Sequence, residues 1–387
     1  MIKFHIRGGK MKIFAEFYPA WLRNMLNRRS GPAIPEKTLL SGREMASIEQ
    51  ALIRQAKTDT PIYILTEKEK KVAAAISRET EKYNRNNITR TQAYLLFYRR
   101  NPDLHWAFLA HMVSRNGGFY MTDIKSSYLD SFLTEEDRER YFLFLERCNA
   151  YIFQDAYPQL LLLEYSRRMG IPLFHLLPKF HVSGWMKPFW DHFYEHGSSA
   201  VITAAMIVNE QKMLEDRVIR TSGSSILDDL PFLLQEKLGF TTVVFPLKKA
   251  NTSALLGVSV VDFRSADARI TTGKSLYQIL FHKKHHRKIK EFALGTPHTA
   301  SRSDYWSSRY SASKESGMLY SPALDQAWKD KKHYFTRKTD WFIKEQESCL
   351  YHLDALPETK DYDLTRKLLK QHALLSAADL IAHQVIP

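Results

Sequence analysis

Apolar residues recur mostly at spacings of three and four along this chain, which is typical of helices with one buried face. The predicted helices lie near 44–57, 67–83, 89–100, 104–115, 134–170 with a kink or restart at Pro158, 198–220, 229–239, 269–281, 322–332, 337–352 and 361–384. Only 241–245 and 256–263 have the composition of short strands. The pattern therefore predicts a mainly α, irregular multi-helix globular domain with room for one small β-hairpin near 241–263.

Several predicted helix ends follow from local side-chain chemistry. Thr66 followed by Glu69 forms a capping box for the helix that begins at 67. Thr134 precedes three acidic residues, which favour a helix start because they complement the helix dipole. The run Asn116-Gly117-Gly118 is typical of a helix end, and it predicts that the 104–115 helix stops there.

The chain is predicted to have an irregular N-terminal arm, 1–43, and a single large helical domain, 44–387. A subdivision near 221–225 remains an open alternative because this segment has the composition of a linker. Within the arm, apolar residues at helical spacing accompany basic residues over 11–29. Contact of 11–29 with an anionic membrane surface is one hypothesis, although docking on the protein's own core is favoured.

Composition narrows the class of protein. The chain has 387 residues, 44% of them hydrophobic, and a formal net charge of +14. That charge favours anionic partners, although the cations are interleaved with 42 acids and could simply be solvated. Two cysteines cannot form a disulfide framework, and no run of 18 apolar residues predicts a transmembrane segment. A cytoplasmic protein is therefore expected, with no prediction of oligomeric state.

The densest polar segment lies at 87–125 and contributes most of the candidate site residues. Its candidate catalytic residues are His111 and Asp123, and its candidate ligand-binding residues are Arg90, His105, Arg115 and Asn116. His111 and Arg115 share one helix face because they are four residues apart. These groups could bind an anion or act in acid–base chemistry. Alternatively, they hydrogen-bond one another and anchor a loop in the core.

A second candidate segment lies at 295–306 and has the composition of a loop. His298 and Asp304 are candidate catalytic residues, and Arg302 is a candidate ligand-binding residue. No Gly-x-Ser-x-Gly motif accompanies them, so the sequence gives little support to a serine hydrolase. The two polar segments could meet in one cleft, or 295–306 could be a structural capping loop.

The clearest basic patch is FHKKHHRKIK at 281–290. Its cations could hold an anionic ligand or the phosphates of nucleic acid: Lys283, Lys284, Arg287 and Lys288. The alternative is a solvated helix end. A further polar site inside an apolar helix is Glu210, which, if buried, would need a partner such as Arg90 or Arg302.

No metal or cofactor is predicted. The segment 180–196 places two histidines, His192 and His196, one helical turn apart, but the sequence identifies no third zinc ligand. The chain also has no glycine-rich phosphate-binding loop and no dinucleotide-binding fingerprint.

Parts of the chain resemble the uncharacterised YppC-like family of Bacillus and related Gram-positive bacteria. The segments that carry the resemblance are NITRTQAYLLFY at 87–98, HWAFLAHMVSRNGG at 105–118, MTD at 121–123, NEQ at 209–211, RITTGKSLYQILF at 269–281 and PHTASRSDYW at 297–306. The chain departs from the family pattern at Phe119-Tyr120, where Trp-Asn is expected, and at Ala300, where glycine is expected. The resemblance implies a bacterial cytoplasmic protein of unassigned activity, and it supplies no catalytic residues.

Two hypotheses about function follow from these observations. The favoured one is an intracellular helical binding or scaffold protein with a polar cleft lined by Arg, His, Asn and Asp. The alternative is a hydrolase of a phosphate-containing or nucleic-acid substrate, which is motivated by the net charge and the clustered polar side chains. Neither the ligand nor the reaction follows from the sequence.

Overall fold

The structure of the chain is a computed structural model. The structure describes residues 36–38, 41–57, 64–130, 133–223, 242–248, 253–260, 262–335, 339–344, 349–353, 355–357 and 362–385. All of them belong to one compact unit, Glu36–Pro387. The predicted contact of 11–29 with a membrane and the predicted helix at 229–239 lie outside the described residues. The predicted boundaries at 43 and near 221–225 remain predictions.

Helices dominate the described residues, as the spacing of apolar residues predicted. In chain order the elements are β1 (Glu36–Thr38), α1 (Gly42–Lys57), α2 (Glu67–Tyr83), α3 (Asn87–Arg100), α4 (His105–Asp123), α5 (Glu135–Met169), α6 (Met186–His196), α7 (Ser199–Leu214), β2 (Thr242–Lys248), β3 (Ser253–Ser259), α8 (Ala266–Phe281), α9 (His286–Gly295), α10 (Ser303–Trp306), β4 (Tyr310–Ser311), β5 (Leu319–Tyr320), α11 (Leu324–Ala327), α12 (Trp341–Lys344), β6 (Ala355–Pro357) and α13 (Thr365–Val385). Short 3-10 helices connect several of them at Ser127–Leu129, Phe174–Phe180, Lys314–Ser316 and Leu350–Leu353, and the π-helical segment Glu215–Gly223 follows α7.

Local capping chemistry sets the ends of several helices. The predicted capping box of α2 is present, since Thr66 accepts from the amide of Glu69 and the Glu69 carboxylate accepts in return. Helix α5 begins at an equivalent box on Thr134 and ends at Gly170, whose φ of 70° is left-handed. It runs 35 residues without a break through Pro158, where the sequence predicted a kink or restart.

The core is built from large aromatic side chains on α3 to α6 and on the residue that precedes α6. Trp106, Trp185 and Trp190 are each at most 1% exposed. The indoles of Trp185 and Trp190 donate to Ala205 O and Gln159 Oε1. Aromatic rings that bury this much area contribute strongly to stability when their polar atoms are also satisfied.

The predicted hairpin is confirmed. Strands β2 and β3 pair antiparallel, with Val244 opposite Gly257 and Phe245 opposite Leu256. Two further pairs were not predicted, antiparallel β1–β6 and parallel β4–β5. Each of these strands has two or three residues, too few to give a recognisable alternation of polar and apolar positions.

The prediction of a helix over 322–332 was wrong beyond α11. Residues 328–335 instead have no regular secondary structure and contact α5, where Trp328 stacks on Phe142 with centroids 4.2 Å apart. Further along, Lys331 pairs with Glu139 at 2.9 Å and His333 reaches Glu146 at 3.3 Å. These contacts with successive turns of α5 outweigh the local helical preference.

A single helix was predicted over 337–352. Among the described residues of this range, the helical segments are α12 and the 3-10 turn Leu350–Leu353. Among the described residues, no helix is both long enough and apolar enough to cross a membrane.

Candidate functional site

Helix α4 supplies most of the interior polar groups. Its buried polar residues are His111, Ser114, Arg115, Asn116, Thr122 and Asp123. The predicted end of this helix at Arg115 was wrong, because α4 continues to Asp123. The glycine pair serves close packing: a Cβ on Gly118 would lie 2.5 Å from Asn87 Oδ1 and 2.9 Å from Ala300 Cβ.

Arg115 holds the start of the 295–306 segment. Its Nη1 and Nη2 donate to Thr296 O at 2.8 Å and Pro297 O at 3.0 Å. The guanidinium also lies 5.0 Å from the centre of the Phe292 ring and 3.9 Å from the Asp304 carboxylate. One buried cation therefore fixes both the end of α9 and the loop that follows it.

Arg302 returns from the loop to the end of α4. Its Nε and Nη2 lie 2.6 Å and 2.5 Å from Asp123 Oδ2, and Ser321 Oγ donates to Asp123 Oδ1 at 2.7 Å. Asp123 is fully buried, and this burial raises its pKa although Arg302 and Ser321 act in the opposite direction. The guanidinium also stacks 4.3 Å from the Phe119 ring, so the ion pair is enclosed by aromatic surface.

His298 bridges the loop and α3. Its Nε2 is 2.8 Å from Asn87 Oδ1, and its Nδ1 is 3.6 Å from Asp304 Oδ2. Burial lowers the pKa of His298 to about 4, so the ring is neutral at pH 7. Asp304 accepts hydrogen bonds from Thr299 N and Thr299 Oγ1. The pKa of Asp304 is lowered, because the neighbouring His298 and these two bonds together outweigh the effect of burial.

Ser301 does not complete a catalytic triad with these two residues. Its hydroxyl lies 2.7 Å from Ser303 Oγ and donates 2.5 Å to Ser321 O, while His298 Nε2 is engaged with Asn87. The arrangement lacks the contact between nucleophile and base that acyl transfer requires.

Two more α4 residues link the network to its surroundings. Asn116 exchanges hydrogen bonds with strand β2, because it donates to Val244 O at 3.0 Å and accepts from Val244 N at 2.8 Å. His111 Nδ1 contacts Thr91 O at 2.9 Å, and its buried Nε2 has no hydrogen-bond partner in the described structure. Burial and the nearby Arg115 lower the pKa of His111.

Two candidate ligand-binding residues lie in other environments. Arg90 pairs at 2.5 Å with Glu146, and both side chains are at most 2% exposed. His105 stacks on Phe281 with centroids 3.9 Å apart, and its Nδ1 lies 2.9 Å from the Tyr277 hydroxyl. Neither has a hydrogen bond or ion pair with the 295–306 segment in the structure.

The space beside this network is small. A cavity of about 20 Å³ is lined by Phe119, Val244, Leu255, Arg302, Tyr305, Trp306, Tyr310, Leu368, Gln371 and Leu375. That volume holds about one water molecule, whereas small-molecule sites usually need about 300 Å³ or more. Residues of α13 cover this cavity. The polar side chains of α4 and of the 295–306 segment described above therefore lie inside the protein, and we call them the interior network.

Asp155 and Glu210 form a second polar cluster, and the sequence did not predict that these two carboxyl groups lie close together. Asp155 on α5 accepts from Asn209 at 2.6 Å and Gln159 at 2.8 Å, close to Glu210 on α7. Burial raises the pKa of Asp155 to about 6 and, with the Asp155 charge, that of Glu210 to about 8. The suggested partners of Glu210 were wrong, because Arg90 pairs with Glu146 and Arg302 with Asp123. The sequence signal that could have indicated this cluster is a polar residue, Asp155, inside an otherwise largely apolar run.

The basic patch has a different environment from both clusters. Lys283, Lys284 and Arg287 are exposed and Lys288 is half-buried, around the start of α9. Arg287 lies 3.8 Å from Glu291, while the three lysines have no carboxylate partner among the described residues. The helix behind them is firmly packed, since His286 stacks on Phe281 with centroids 4.8 Å apart.

The predicted two-histidine pair does not extend to a metal site in the described residues. The rings of His192 and His196 lie 4.4 Å apart, and His192 Nε2 is 3.6 Å from Glu44. Across the part of the chain that the structure describes, no three His, Cys, Asp or Glu residues are grouped to hold a metal ion.

Comparison with known proteins identifies the family. Residues 82–375 match the family described as protein of unknown function (DUF2515). The uncharacterised protein YppC of Bacillus subtilis (strain 168) is 36% identical over 315 residues, covering 79% of this chain and 95% of YppC. No solved structure matches the chain. Ala300 has a φ of 66°, a left-handed conformation that favours the glycine expected from the family pattern.

These matches confirm the resemblance to YppC-like proteins, and they assign no activity to it. They cover both segments that meet in the interior network, 87–125 and 295–306. The chain therefore belongs to the DUF2515 family of proteins of unknown function, as a relative of Bacillus YppC.

Proposed function

We propose that this protein is a helical binding protein whose partner is nucleic acid, bound through its phosphates by the basic patch at 281–290. The observation that carries the proposal is the set of three lysines at the start of α9 without a carboxylate partner among the described residues: Lys283, Lys284 and Lys288. Closely spaced cations attract a polyanion, and the helix N-terminus adds a favourable dipole.

The interior network supports this proposal by positioning α9. Arg115 fixes the carbonyls at 296 and 297 and packs against Phe292, while Lys290 lies 5.5 Å above the Tyr98 ring. The patch is therefore presented on a rigid helix, which lowers the conformational entropy that binding would cost. We propose that the network acts as a scaffold for the binding surface.

The predicted ligand-binding roles of Arg90, His105, Arg115, Asn116 and Arg302 remain predictions. The cavity beside Arg302 is about 20 Å³, so a ligand larger than water would fit in it only if its walls, which include α13, moved. The internal hydrogen bonds of the candidate catalytic groups favour binding over the hydrolase alternative.

We also propose a cytoplasmic location, supported by two free cysteines, Cys148 and Cys349.

The test is fluorescence anisotropy with a labelled 20-mer duplex and its single strand, in 50–200 mM salt. We expect binding that weakens steeply with salt, and a loss of about 10-fold or more in Lys283→Glu/Lys284→Glu. Lys68→Glu/Lys71→Glu on α2 is the matched control, since it makes the same charge change at exposed positions. Equal losses in both double variants, or no binding at the lowest salt, would refute the proposal.

A further inference from the structure

A second charged surface lies away from the basic patch, between helices α2 and α5. It is a groove with a volume of about 390 Å³, lined by Ala75, Arg78, Glu79, Lys82, Arg100, Leu161, Glu164, Tyr165 and Arg168. This volume lies within the range of small-molecule binding sites.

Four cations and two carboxylates line the groove, and the two carboxylates already have partners. Arg100 holds Glu164 through two bonds, at 2.7 Å from Nε and 3.2 Å from Nη2. Lys82 lies 3.9 Å from Glu79. Two cations remain, Arg78 on α2 and Arg168 on α5, and neither has a carboxylate partner among the described residues. The groove therefore has an excess of two positive charges.

The two remaining arginines suit a phosphate ligand. A guanidinium presents donors in a planar fork that matches phosphate oxygens, and it stays charged at all physiological pH values. Arg168 lies over the Tyr165 ring at 5.0 Å, which restrains it toward one wall of the groove. Ala75 and Leu161 add apolar surface, as in most sites that hold an organic molecule.

The helices that form the groove are rigidly joined. Val72, Ile76 and Thr80 of α2 are buried. At the end of α2, the Asn84 amide donates to Ala150 O at 3.1 Å. Because both walls are fixed by packing, the arginines can meet a ligand without a large loss of backbone freedom.

We infer that this groove binds a diphosphate group, with one guanidinium on each helix contacting it. The diphosphate could be free or could be carried by a small organic molecule that rests on the apolar surface. This inference is independent of nucleic-acid binding at 281–290, since it uses different residues on different helices.

The experiment is isothermal titration calorimetry of the full chain with two probes, pyrophosphate and ADP, at constant ionic strength. The inference predicts one site per chain, weakened about 30-fold or more in Arg78→Ala/Arg168→Ala. Tighter binding of ADP than of pyrophosphate would identify a diphosphate on an organic body, and the reverse order a free diphosphate.

The control variant is Lys68→Ala/Lys71→Ala, which removes two exposed cations from the same helix. These positions precede Arg78 by at least about 10 Å along the helix axis. Affinity in the control should match that of the wild type. The inference is overturned if neither probe binds at millimolar concentration, or if both double variants bind as the wild type does. Retained nucleic-acid binding in Arg78→Ala/Arg168→Ala would keep the two proposals separate.

Discussion

The cations of the interior network and those of the basic patch have opposite environments. Arg115 and Arg302 are surrounded by carbonyls, carboxylates and aromatic rings, and Arg302 holds the fully buried Asp123 at 2.5 Å. Lys283 and Lys284 are exposed, without carboxylate partners in the described structure. A buried cation must be compensated inside the protein, whereas an exposed cation stays available to a partner. The net charge of +14 therefore matters for binding mainly where cations are exposed and unpaired.

The largest expected effect comes from removing one partner of the interior ion pair. Arg302→Ala leaves the buried Asp123 carboxylate without its cation and should lower the free energy of unfolding by about 3–5 kcal/mol. Urea denaturation at pH 7 measures this loss. The exposed control Arg287→Ala should change stability by less than about 0.5 kcal/mol. Similar losses in both variants would remove the distinction between interior and surface cations.

The next effect concerns the carboxyl cluster formed by Asp155 and Glu210. The pKa of Glu210 is raised from 4.5 to about 8, so between these values the folded protein keeps a proton that the unfolded chain releases. Stability from this group is present at low pH and is lost as pH rises toward 8. Glu210→Gln should therefore be more stable than wild type at pH 8, by about 2–4 kcal/mol, and nearly equal below pH 5.

Thermal and urea denaturation at pH 5, 6.5 and 8 measure the difference between Glu210→Gln and wild type. Glu81→Gln, at an exposed position of α2, is the control and should shift stability equally at all three values. If Glu210→Gln also gives a difference independent of pH, the raised pKa of Glu210 is refuted.

A smaller effect tests the packing that brings the two polar segments together. Gly118→Ala would place a Cβ 2.9 Å from both His298 Cε1 and Ala300 Cβ, and it should cost about 1–3 kcal/mol. In Gly117→Ala the atoms nearest to the new Cβ belong to the Asn149 side chain, at 3.4 Å or more, and the change should stabilise the helix by about 0.5–1 kcal/mol. Thermal denaturation should therefore show a lower melting temperature for Gly118→Ala and a higher one for Gly117→Ala. Equal changes would mean that the network tolerates separation of α4 from the loop.

The smallest effect belongs to the basic patch. Lys283→Glu/Lys284→Glu should change the unfolding free energy by less than about 0.5 kcal/mol, because both side chains are exposed. Measuring this stability by urea denaturation shows whether a loss of nucleic-acid binding reflects the surface itself. A large destabilisation would show that these lysines contribute to folding stability as the interior cations do, and it would contradict the distinction between the two environments.

Much of the secondary structure was predictable because its causes are local. The capping boxes at Thr66 and Thr134 involve residues three positions apart, and the β2–β3 hairpin joins neighbouring segments. The end of α4 was mispredicted because Gly118 is needed for close packing against Ala300 and Asn87 and does not end the helix. No pattern in the local sequence indicates this packing. The predicted helix over 328–332 was wrong for a similar reason, since α5 supplies the contacts that stabilise this irregular segment.

The candidate residues could be named from sequence, but their partners could not. The sequence by itself determined a mainly helical chain, a basic segment at 281–290 and two polar segments of distinctive composition. Only the tertiary structure decided that Arg302 pairs with Asp123, 179 residues away, and that Arg90 pairs with Glu146. It also brought Arg78 and Arg168 to one groove. Helix periodicity and caps depend on residues within about four positions, whereas the partner of a buried charge depends on how whole helices pack.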